Sequence, residues 1–300
     1  MTAETSGSGG GGLRPAGADA GRGAAVAIGT FDGVHLGHRR VIEAARSTGL
    51  PVRVLTFHPH PRVVLGNFVE AISTLERRLE LLAEIGVAET TVVDFTLEVS
   101  QLEPAEFAAT HLGDAGVIVA GADFRFGRKR SGDLTLLEGL GHDVLPVPLL
   151  EGVSSTEIRR HVHGGAVREA ARLLGRPAEL EGVVVSGDQR GGTLGYPTAN
   201  LAVEPALLVP AYGIYAGYAE NVDGGSYRAA ISIGTNPHYG GEERRIEPHL
   251  LDFEGDLYGR RLVVELWERL RDEQVFGSER ELIEQIARDV EATREAVRPG

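Results

Sequence analysis

Between residues 24 and 150, short apolar runs alternate with segments of helical periodicity, and this alternation restricts the fold more than any other feature of the sequence. One helical segment is Leu75–Ile85, in which leucines recur at helical spacing opposite charged residues and which Gly86 terminates. The apolar runs lie at residues 24–28, 52–57, 90–95, 116–121 and 143–147. Strands alternating with helices predict an α/β fold with a parallel sheet covered on both faces. Ligands of such folds bind outside the carboxyl ends of the strands.

The pattern changes after a helix predicted over Val167–Leu174. Residues 180–264 contain strand-like runs separated by turns and no long helical pattern, which predicts an antiparallel sheet or a small barrel. An amphipathic helix is predicted to close the chain from Ser278 to Val297, because Ser278 and Glu281 have the spacing of a capping box. The second half is therefore predicted to be a β domain with a C-terminal helix.

This change places a domain boundary near Ala178, with one domain over residues 24–178 and a second over residues 179–300. Residues 1–23 are rich in Gly, Ser and Ala and contain few apolar side chains, so we expect a disordered N-terminal tail. The tail lacks the continuous apolar core of a signal peptide. No later window holds eighteen apolar residues without charges, which predicts no transmembrane span.

The charge and cysteine content exclude several classes of function. The net charge of -13 argues against non-specific binding to nucleic acid or to an anionic membrane, because both need a basic surface. The chain has no cysteine, which excludes a disulfide framework, a thiolate metal site and a cysteine nucleophile. We therefore expect a cytoplasmic protein that acts on small molecules rather than on nucleic acids or membranes.

The segment Gly29–His38 joins the first apolar run to a helix predicted over Arg39–Ser47. Such a turn brings unpaired backbone N–H groups and the positive end of a helix dipole to one place, which suits a phosphate. His35 and His38 are three residues apart and would share a face of the first helical turn, where imidazoles can hydrogen-bond phosphate oxygens. Taken alone, two histidines at this spacing more often belong to an ordinary surface turn.

Three further segments bring polar and aromatic groups to the same predicted edge of the sheet: residues 58–61, 121–130 and 154–159. Residues 58–61 (HPHP) form a loop stiffened by prolines, or simply a rigid surface turn. Residues 121–130 combine an aromatic pair, an acid and a basic cluster, which predicts a ring-binding wall with cations for phosphate; the alternative is a solvated hairpin tip. Residues 154–159 offer hydroxyls and a cation at a helix start, which indicates either a second anion site or plain N-capping.

As a set, these segments resemble the bacterial bifunctional riboflavin kinase/FAD synthetases. In the first half the similar motifs are GTFDGVHLGH, TFHPHP, GADFRFGRKRSGD and VSSTEIR. In the second half they are GTLGYPTANL, YGIYAG, ISIGTNP, EPHLLDF, DLYG and LRDEQVF. The resemblance runs in order from about Ala24 to Val297. It implies a Rossmann-like nucleotidyltransferase domain with a parallel sheet, followed by a small antiparallel β-barrel riboflavin kinase domain with a C-terminal helix.

For the first domain, the resemblance implies that the FMN phosphate attacks the α-phosphorus of ATP, giving FAD and pyrophosphate. His35 and His38 are the implied catalytic groups, because they would stabilise charge on the phosphates. The residues implied to bind ATP and its phosphates are Gly29, Phe31, Asp32, Gly33, His35, His38, Ser155, Thr156 and Arg159. The residues implied to form the loops beside the flavin or nucleotide are His58, Pro59, Asp123 and Phe124.

For the second domain, the resemblance implies phosphorylation of the riboflavin 5′-hydroxyl by ATP. A hydroxyl must lose a proton, so a general base is expected, and Glu247 matches the family's catalytic glutamate. Thr198 and Asn200 match residues that bind Mg²⁺ together with ATP phosphates, and oxygen ligands are what Mg²⁺ prefers. The loop from Gly187 to Gly195 is expected to close over the phosphates. Taken alone, the PTAN sequence around Thr198 is more typical of a turn.

The sequence departs from the family pattern mainly in its kinase half, at Ala178, Gly192, His238 and Pro248. The family usually has an aromatic residue at Ala178, an arginine at about Gly192 and a threonine at His238. Pro248 fixes the backbone after Glu247 and removes a strand donor. Two alternatives therefore stay open. One is an FMN adenylyltransferase whose kinase-like domain binds flavin without turnover; the other is a non-enzymatic flavin or nucleotide sensor. The retained Glu247 argues against both, because a binding protein needs no base.

Overall fold

The computed structural model describes residues 23–186, 196–220, 225–235 and 244–300. The predicted N-terminal tail therefore lies outside the described residues, apart from Gly23. In the first half, strands β1–β5 are Ala25–Ile28, Val52–His58, Glu89–Asp94, Val117–Gly121 and Val144–Val147. Helices α1–α8 are Leu36–Ser47, Pro61–Val64, Leu75–Glu84, Leu97–Ser100, Pro104–His111, Leu134–Gly139, Ser155–His163 and Val167–Leu174. In the second half, strands β6–β11 and helix α9 are Ala178–Val185, Asn200–Val203, Gly213–Glu220, Ser226–Thr235, Arg244–Leu250, Arg261–Arg271 and Glu279–Glu295.

Strands β1–β5 form a single parallel sheet in the order β3-β2-β1-β4-β5. The chain starts in the middle of the sheet, builds one edge through β2 and β3, and then crosses to the other side of β1 to add β4 and β5. The strand order thus reverses between β1 and β4. In an open parallel sheet, a crevice for ligands forms outside the carboxyl ends of the strands at such a point. The predicted α/β fold is confirmed.

Side chains of β1 show why both faces of this sheet must be covered. Ala25 and Ala27 lie in one core, with Ile42 of α1. Val26 and Ile28 point to the opposite face and lie in a second core. Because alternate residues of a strand face opposite sides and all four are buried, helices must pack on both faces of the sheet.

Strands β6–β11 form an antiparallel sheet in the order β10-β9-β8-β11-β6-β7. The two outer strands approach each other, and the backbone N–H of Ala199, beside β7, donates to the carbonyl of Pro248 in β10 at 2.9 Å. Buried side chains such as Tyr215, Ile231 and Leu266 fill the interior. The sheet therefore closes nearly into a barrel, as the sequence predicts, and α9 packs against β8 and β9.

Pro248 costs this barrel less than its sequence position suggests. Within a strand, the N–H and C=O of one residue point to the same side. The Pro248 carbonyl faces Ala199, so its nitrogen also faces the seam with β7 and not the ladder with β9. The missing donor therefore falls where the barrel closes, and the pairing of Glu247 with Ser232 is kept.

Sequence and structure differ at several element boundaries. Helix α1 begins at Leu36, three residues before the predicted Arg39, because the Gly-rich turn already ends at His35. Strand β7 was not predicted, because its four residues are too few for a period-2 pattern and begin within the PTAN sequence, which is typical of a turn. The short helices α2, α4 and α6 are likewise too short to show helical periodicity.

The two halves of the chain contact each other through the segment Ala71–Thr74, which precedes α3. The N–H of Ala71 donates to Ala206 O at 2.7 Å, and the N–H of Leu208 donates to Ala71 O at 2.8 Å. The change in architecture falls between α8 and β6; the boundary at Ala178 itself stays a prediction. Within the described ranges, no helix has the length and apolar character needed to cross a membrane.

Candidate active sites

The loop from Gly29 to His35 leaves β1 at the point where the strand order reverses. Its backbone takes left-handed conformations at Phe31 (φ 49°), Gly33 (φ 76°) and Val34 (φ 41°). His35 is the N-cap of α1, and its ring Nδ1 accepts from the N–H of His38 at 3.4 Å. The loop therefore ends by presenting the N-terminus of a twelve-residue helix, where backbone N–H groups favour an anion.

His35 and His38 stack on each other, with ring centroids 3.6 Å apart and planes 15° from parallel. Burial is the main cause that lowers the pKa of His35 to about 4, and the charges of Arg176 and Arg159 act in the same direction. Burial lowers the pKa of His38 well below its ordinary value, with the charges of His35 and Arg78 acting in the same direction. Both rings are therefore neutral at pH 7. Since Nδ1 of His35 is an acceptor, the proton of that ring lies on Nε2.

The carboxylate of Asp32 is directed into the protein, and the side chain is only 1% exposed. One oxygen accepts from the N–H groups of Ile72 (2.9 Å) and Ser73 (3.3 Å), and the other accepts from Arg159. Arg159 also donates through Nε to the carbonyl of Glu70 at 2.7 Å. The geometry thus gives Asp32 the role of holding the loop; direct phosphate binding by Asp32 stays a prediction.

Helix α7 brings the second predicted anion site to the same place. Ser154 is its N-cap and accepts from Glu157 N at 3.2 Å, so Ser155 and Thr156 form the first helical turn. Val153 lies beside the start of α1, since a Cβ placed on Gly37 would be 4.0 Å from its side chain. The N-termini of α1 and α7 therefore approach each other across the crevice.

The remaining predicted loops of the first domain follow β2 and β4, on either side of β1. His58 and Pro59 are exposed at the end of β2. After β4, Asp123 is exposed, and Phe124 stacks on Phe126 with ring centroids 5.6 Å apart. The structure thus places all four segments at the carboxyl edge of the sheet, as the sequence predicts.

Three buried side chains that support the loop were not predicted. Arg78 of α3 donates to the carbonyls of Thr30 and Phe57, both at 3.1 Å. Ser73 and Arg176 contact the backbone of Gly33. Arg78 is one of the charged residues of α3, which helical periodicity does not direct into the protein, and no spacing in the sequence relates Ser73 or Arg176 to the loop.

In the second domain, two cavities of about 370 and 410 Å³ meet at Thr198. Strand β10 lies between them: Pro248 and Leu250 line the first cavity, whereas Glu247 and His249 line the second. This division follows from the period-2 geometry of a strand. The two predicted metal ligands, Thr198 and Asn200, both line the first cavity. Thr198 also lines the second cavity, together with Glu247.

The far wall of the second cavity comes from α9 and from Arg271 at the end of β11. Arg271 pairs with Asp289 of α9 through contacts of 2.7 to 3.1 Å. Glu273 also lines this cavity, and burial raises the pKa of its carboxyl. These side chains belong to or follow the LRDEQVF motif, to which sequence reasoning had assigned no role. The predicted loop Gly187–Gly195 and the departures Gly192 and His238 lie outside the described residues.

Comparison with known proteins identifies both halves. The FAD synthetase family matches residues 18–156, and the riboflavin kinase family (Flavokinase) matches residues 174–297. Proteins named "Bifunctional riboflavin kinase/FMN adenylyltransferase" are similar over nearly the whole chain. The protein of this name from Listeria monocytogenes is 37% identical, covering 90% of this chain and 91% of its own length. Those from Bacillus subtilis and Escherichia coli are each 36% identical, covering 91% of this chain and 91% and 92% of their own lengths.

A solved structure described as a macrolide-efflux protein from Streptococcus pneumoniae has the same fold, with a TM-score of 0.82 and 36% identity over 92% of this chain and 95% of that one. The two family matches occur in the order of the two architectures, and the relatives extend across both. The chain belongs to the family of bifunctional riboflavin kinase/FMN adenylyltransferases.

Proposed function

We propose that this chain makes FAD from riboflavin in two steps at two separate sites. ATP first phosphorylates riboflavin to FMN in the barrel domain, and a second ATP then adenylylates FMN to FAD at the parallel sheet. The observation that carries the proposal is the match to both families, each over the domain whose geometry suits its reaction. ATP, riboflavin and FMN are the substrates, and we propose that the reactions take place in the cytoplasm.

At the first site, an oxygen of the FMN phosphate forms a bond to the α-phosphorus of ATP while the bond to the bridging oxygen breaks and pyrophosphate leaves. The FMN phosphate is already anionic, so this reaction needs no general base. We assign charge stabilisation to His35 and His38, whose neutral, stacked rings can donate to phosphate oxygens as charge moves to the leaving group.

The facing helix supplies the other phosphate contacts. We assign these to the hydroxyls of Ser155 and Thr156 and to the free edge of Arg159, whose side chain is 15% exposed beside Asp32. Gly29, Phe31 and Gly33 shape the loop under the nucleotide. Phe124, stacked on Phe126, and the exposed turn at His58-Pro59 offer apolar faces for the flavin ring, with Asp123 at their edge.

At the second site, we place riboflavin in the cavity lined by Glu247 and ATP in the adjoining cavity. Glu247 takes the proton from the 5′-hydroxyl as the oxygen bonds to the γ-phosphorus and ADP leaves. Thr198 lies where the two cavities meet, which is where the transferred phosphoryl group has to pass.

The donor set around Thr198 suits Mg²⁺. The Thr198 hydroxyl and the Asn200 side-chain carbonyl are hard, uncharged oxygen ligands, and both residues line the nucleotide cavity. Mg²⁺ is commonly held by one or two protein oxygens together with substrate phosphates and water. We propose that these two residues hold the ion, which would neutralise phosphate charge when it is bound with ATP.

Incubation of the purified protein with riboflavin, ATP and Mg²⁺, followed by separation of the flavins, tests the proposal. Formation of FMN and FAD supports it. FAD formed only from added FMN would instead favour an adenylyltransferase with an inactive kinase-like domain. If neither riboflavin nor FMN gives a product, the chain would instead be a non-enzymatic protein that only binds flavin or nucleotide.

A further inference from the structure

The loop from Gly29 to His35, here called the phosphate loop, is fixed to the rest of the protein at Gly33. The φ of 76° at Gly33 and the 2.5 Å between a Cβ placed there and Ile72 Cγ2 leave no room for a side chain. Both backbone polar groups of Gly33 bind side chains. The N–H donates to Ser73 Oγ at 3.2 Å, and the carbonyl accepts from Arg176 Nη1 at 3.0 Å, and both bonds are buried. Two residues later, the loop reaches His35.

The two side chains that hold Gly33 are themselves attached to the barrel. Ser73 lies between Ala71, whose backbone pairs with Ala206 and Leu208, and Thr74, whose hydroxyl donates to Glu181 of β6. Arg176 lies two residues before β6, with its Nε 3.7 Å from the carboxylate of Glu179. The phosphate loop is thus held from the side of the second domain.

We propose that Ser73 and Arg176 are positioning residues for adenylyl transfer, which fix the Gly33 peptide groups and thereby the place of His35 and the start of α1. This inference rests on the proposed adenylyl-transfer function of the first site. It makes the barrel a structural part of that site. Neither residue contacts the reacting atoms; each acts through the loop. A displacement of about 1 Å in such a loop can change a rate by about a hundredfold.

The same interface contains ion pairs that do not touch the loop, and these provide a matched control. Arg261 of β11 pairs with Glu80 of α3 at 2.6 Å and with Glu181. Loss of Arg261 removes a partly buried contact between the domains but leaves Gly33 with both of its partners. Comparison of Arg176→Met with Arg261→Met therefore separates positioning of the loop from general support of the interface.

The experiment measures both reactions in the full chain, with the temperature of unfolding of each variant as a check on folding. For Arg176→Met we expect kcat of FMN adenylylation to fall about tenfold or more, with kcat of riboflavin phosphorylation within about twofold of the unaltered chain. Ser73→Ala should show a smaller fall of the same kind, and Arg176→Lys should recover part of the loss. Arg261→Met should leave both kcat values within about twofold.

Equal adenylylation by Arg176→Met and the unaltered chain would overturn the inference, as would an equal fall in both reactions or a fall as large in Arg261→Met. If Arg176→Met does not fold, Ser73→Ala decides alone: a selective fall in kcat of adenylylation supports the inference, and unchanged kcat overturns it. Failure of the unaltered chain to adenylylate FMN would instead contradict the proposed function.

Discussion

The two candidate sites of this chain are built in opposite ways. At the parallel sheet, the Gly29–His35 loop, to which we assign phosphate binding, is fixed by contacts such as those of Asp32 with Arg159 and of Gly33 with Arg176. In the barrel, the site consists of two open cavities on either side of β10, with Glu247 and Thr198 on their walls. The site at the parallel sheet is thus a loop held by several side chains, whereas the barrel site is a pair of cavities that meet at Thr198.

This difference matches the nucleophiles of the two reactions. A phosphate is already an anion, so the first site has to position it and stabilise charge, which neutral imidazoles and helix N-termini can do. A hydroxyl must be deprotonated, so the second site needs a carboxylate beside it. Under the proposed assignments, both halves use ATP, and they differ in that only the barrel site needs a general base.

The largest expected effect comes from removing the two stacked histidines. In the variant His35→Ala/His38→Ala, FMN adenylylation should fall by more than about a thousandfold, because each lost donor to a developing charge costs roughly a hundredfold or more. Riboflavin phosphorylation should stay within about twofold, because the barrel does not use these rings. Both rates are measured by separating the flavin products. A folded variant that lost both reactions together would contradict the assignment of two sites.

Glu247→Gln should produce the reverse result. The amide keeps the size of the side chain but cannot accept the proton, so riboflavin phosphorylation should fall by about a hundredfold or more. Adenylylation of added FMN should be unchanged, which serves as the internal control. Equal production of FMN by this variant would remove Glu247 as the base.

The neutral state of the histidines predicts a difference in stability with pH. The pKa of His35 is about 4 in the folded chain and near 6.5 in the unfolded chain, so the unfolded state binds more protons between these values. Stability is therefore lost as the pH falls through this window. In His35→Asn, which keeps an N-cap side chain, the loss from about pH 7 to about pH 5 should be smaller by about 2 kcal/mol.

Urea unfolding of both proteins at several pH values measures this difference. Above about pH 8 the free energies of unfolding of the unaltered chain and of His35→Asn should change with pH in parallel, because the His35 ring is neutral in both the folded and the unfolded state. Identical slopes down to pH 5 would show that His35 titrates normally in the folded protein and would remove the basis for two neutral rings.

The smallest effect is expected at the proposed metal ligands. Asn200→Ala should raise the KM for MgATP in riboflavin phosphorylation by about tenfold, which corresponds to the loss of one ligand among several. Adenylylation should keep its KM. A titration of each reaction with MgATP measures both constants, and an unchanged KM in the kinase reaction would argue against Asn200 as a ligand.

Sequence reasoning found what depends on local order and missed what depends on distant contacts. The strands of the first domain and the loops that follow them could be predicted because periodicity and turn residues are local signals. Ser73 and Arg176 lie 40 and 143 positions from Gly33, so no spacing could relate them to it. Strand β7 was missed for a related reason: its pairing with β6 is not visible in the sequence, and four residues carry little pattern of their own.

The cavities of the barrel also could not be predicted from the sequence. Glu247 is one of 43 acidic residues and could be singled out only by resemblance to a family. Its relation to Thr198 follows from the approach of β7 and β10, which closes the barrel. Conversely, the sequence indicates that Pro248 removes a strand donor beside Glu247, but in the structure its nitrogen faces the seam of the barrel, so the ladder with β9 keeps its hydrogen bonds.

Mixing two inactivated proteins tests the central claim most directly. The variants His35→Ala/His38→Ala and Glu247→Gln are each incubated alone with riboflavin, ATP and Mg²⁺. The first should accumulate FMN and make FAD at less than about a thousandth of the rate of the unaltered chain, and the second should make FAD at about a hundredth of that rate or less. The mixture should convert riboflavin to FAD, because FMN released by one protein is adenylylated by the other. Accumulation of FMN in the mixture with no more FAD than the two proteins make separately would contradict two separate sites in one chain, as would FAD formation by either protein alone at the rate of the unaltered chain.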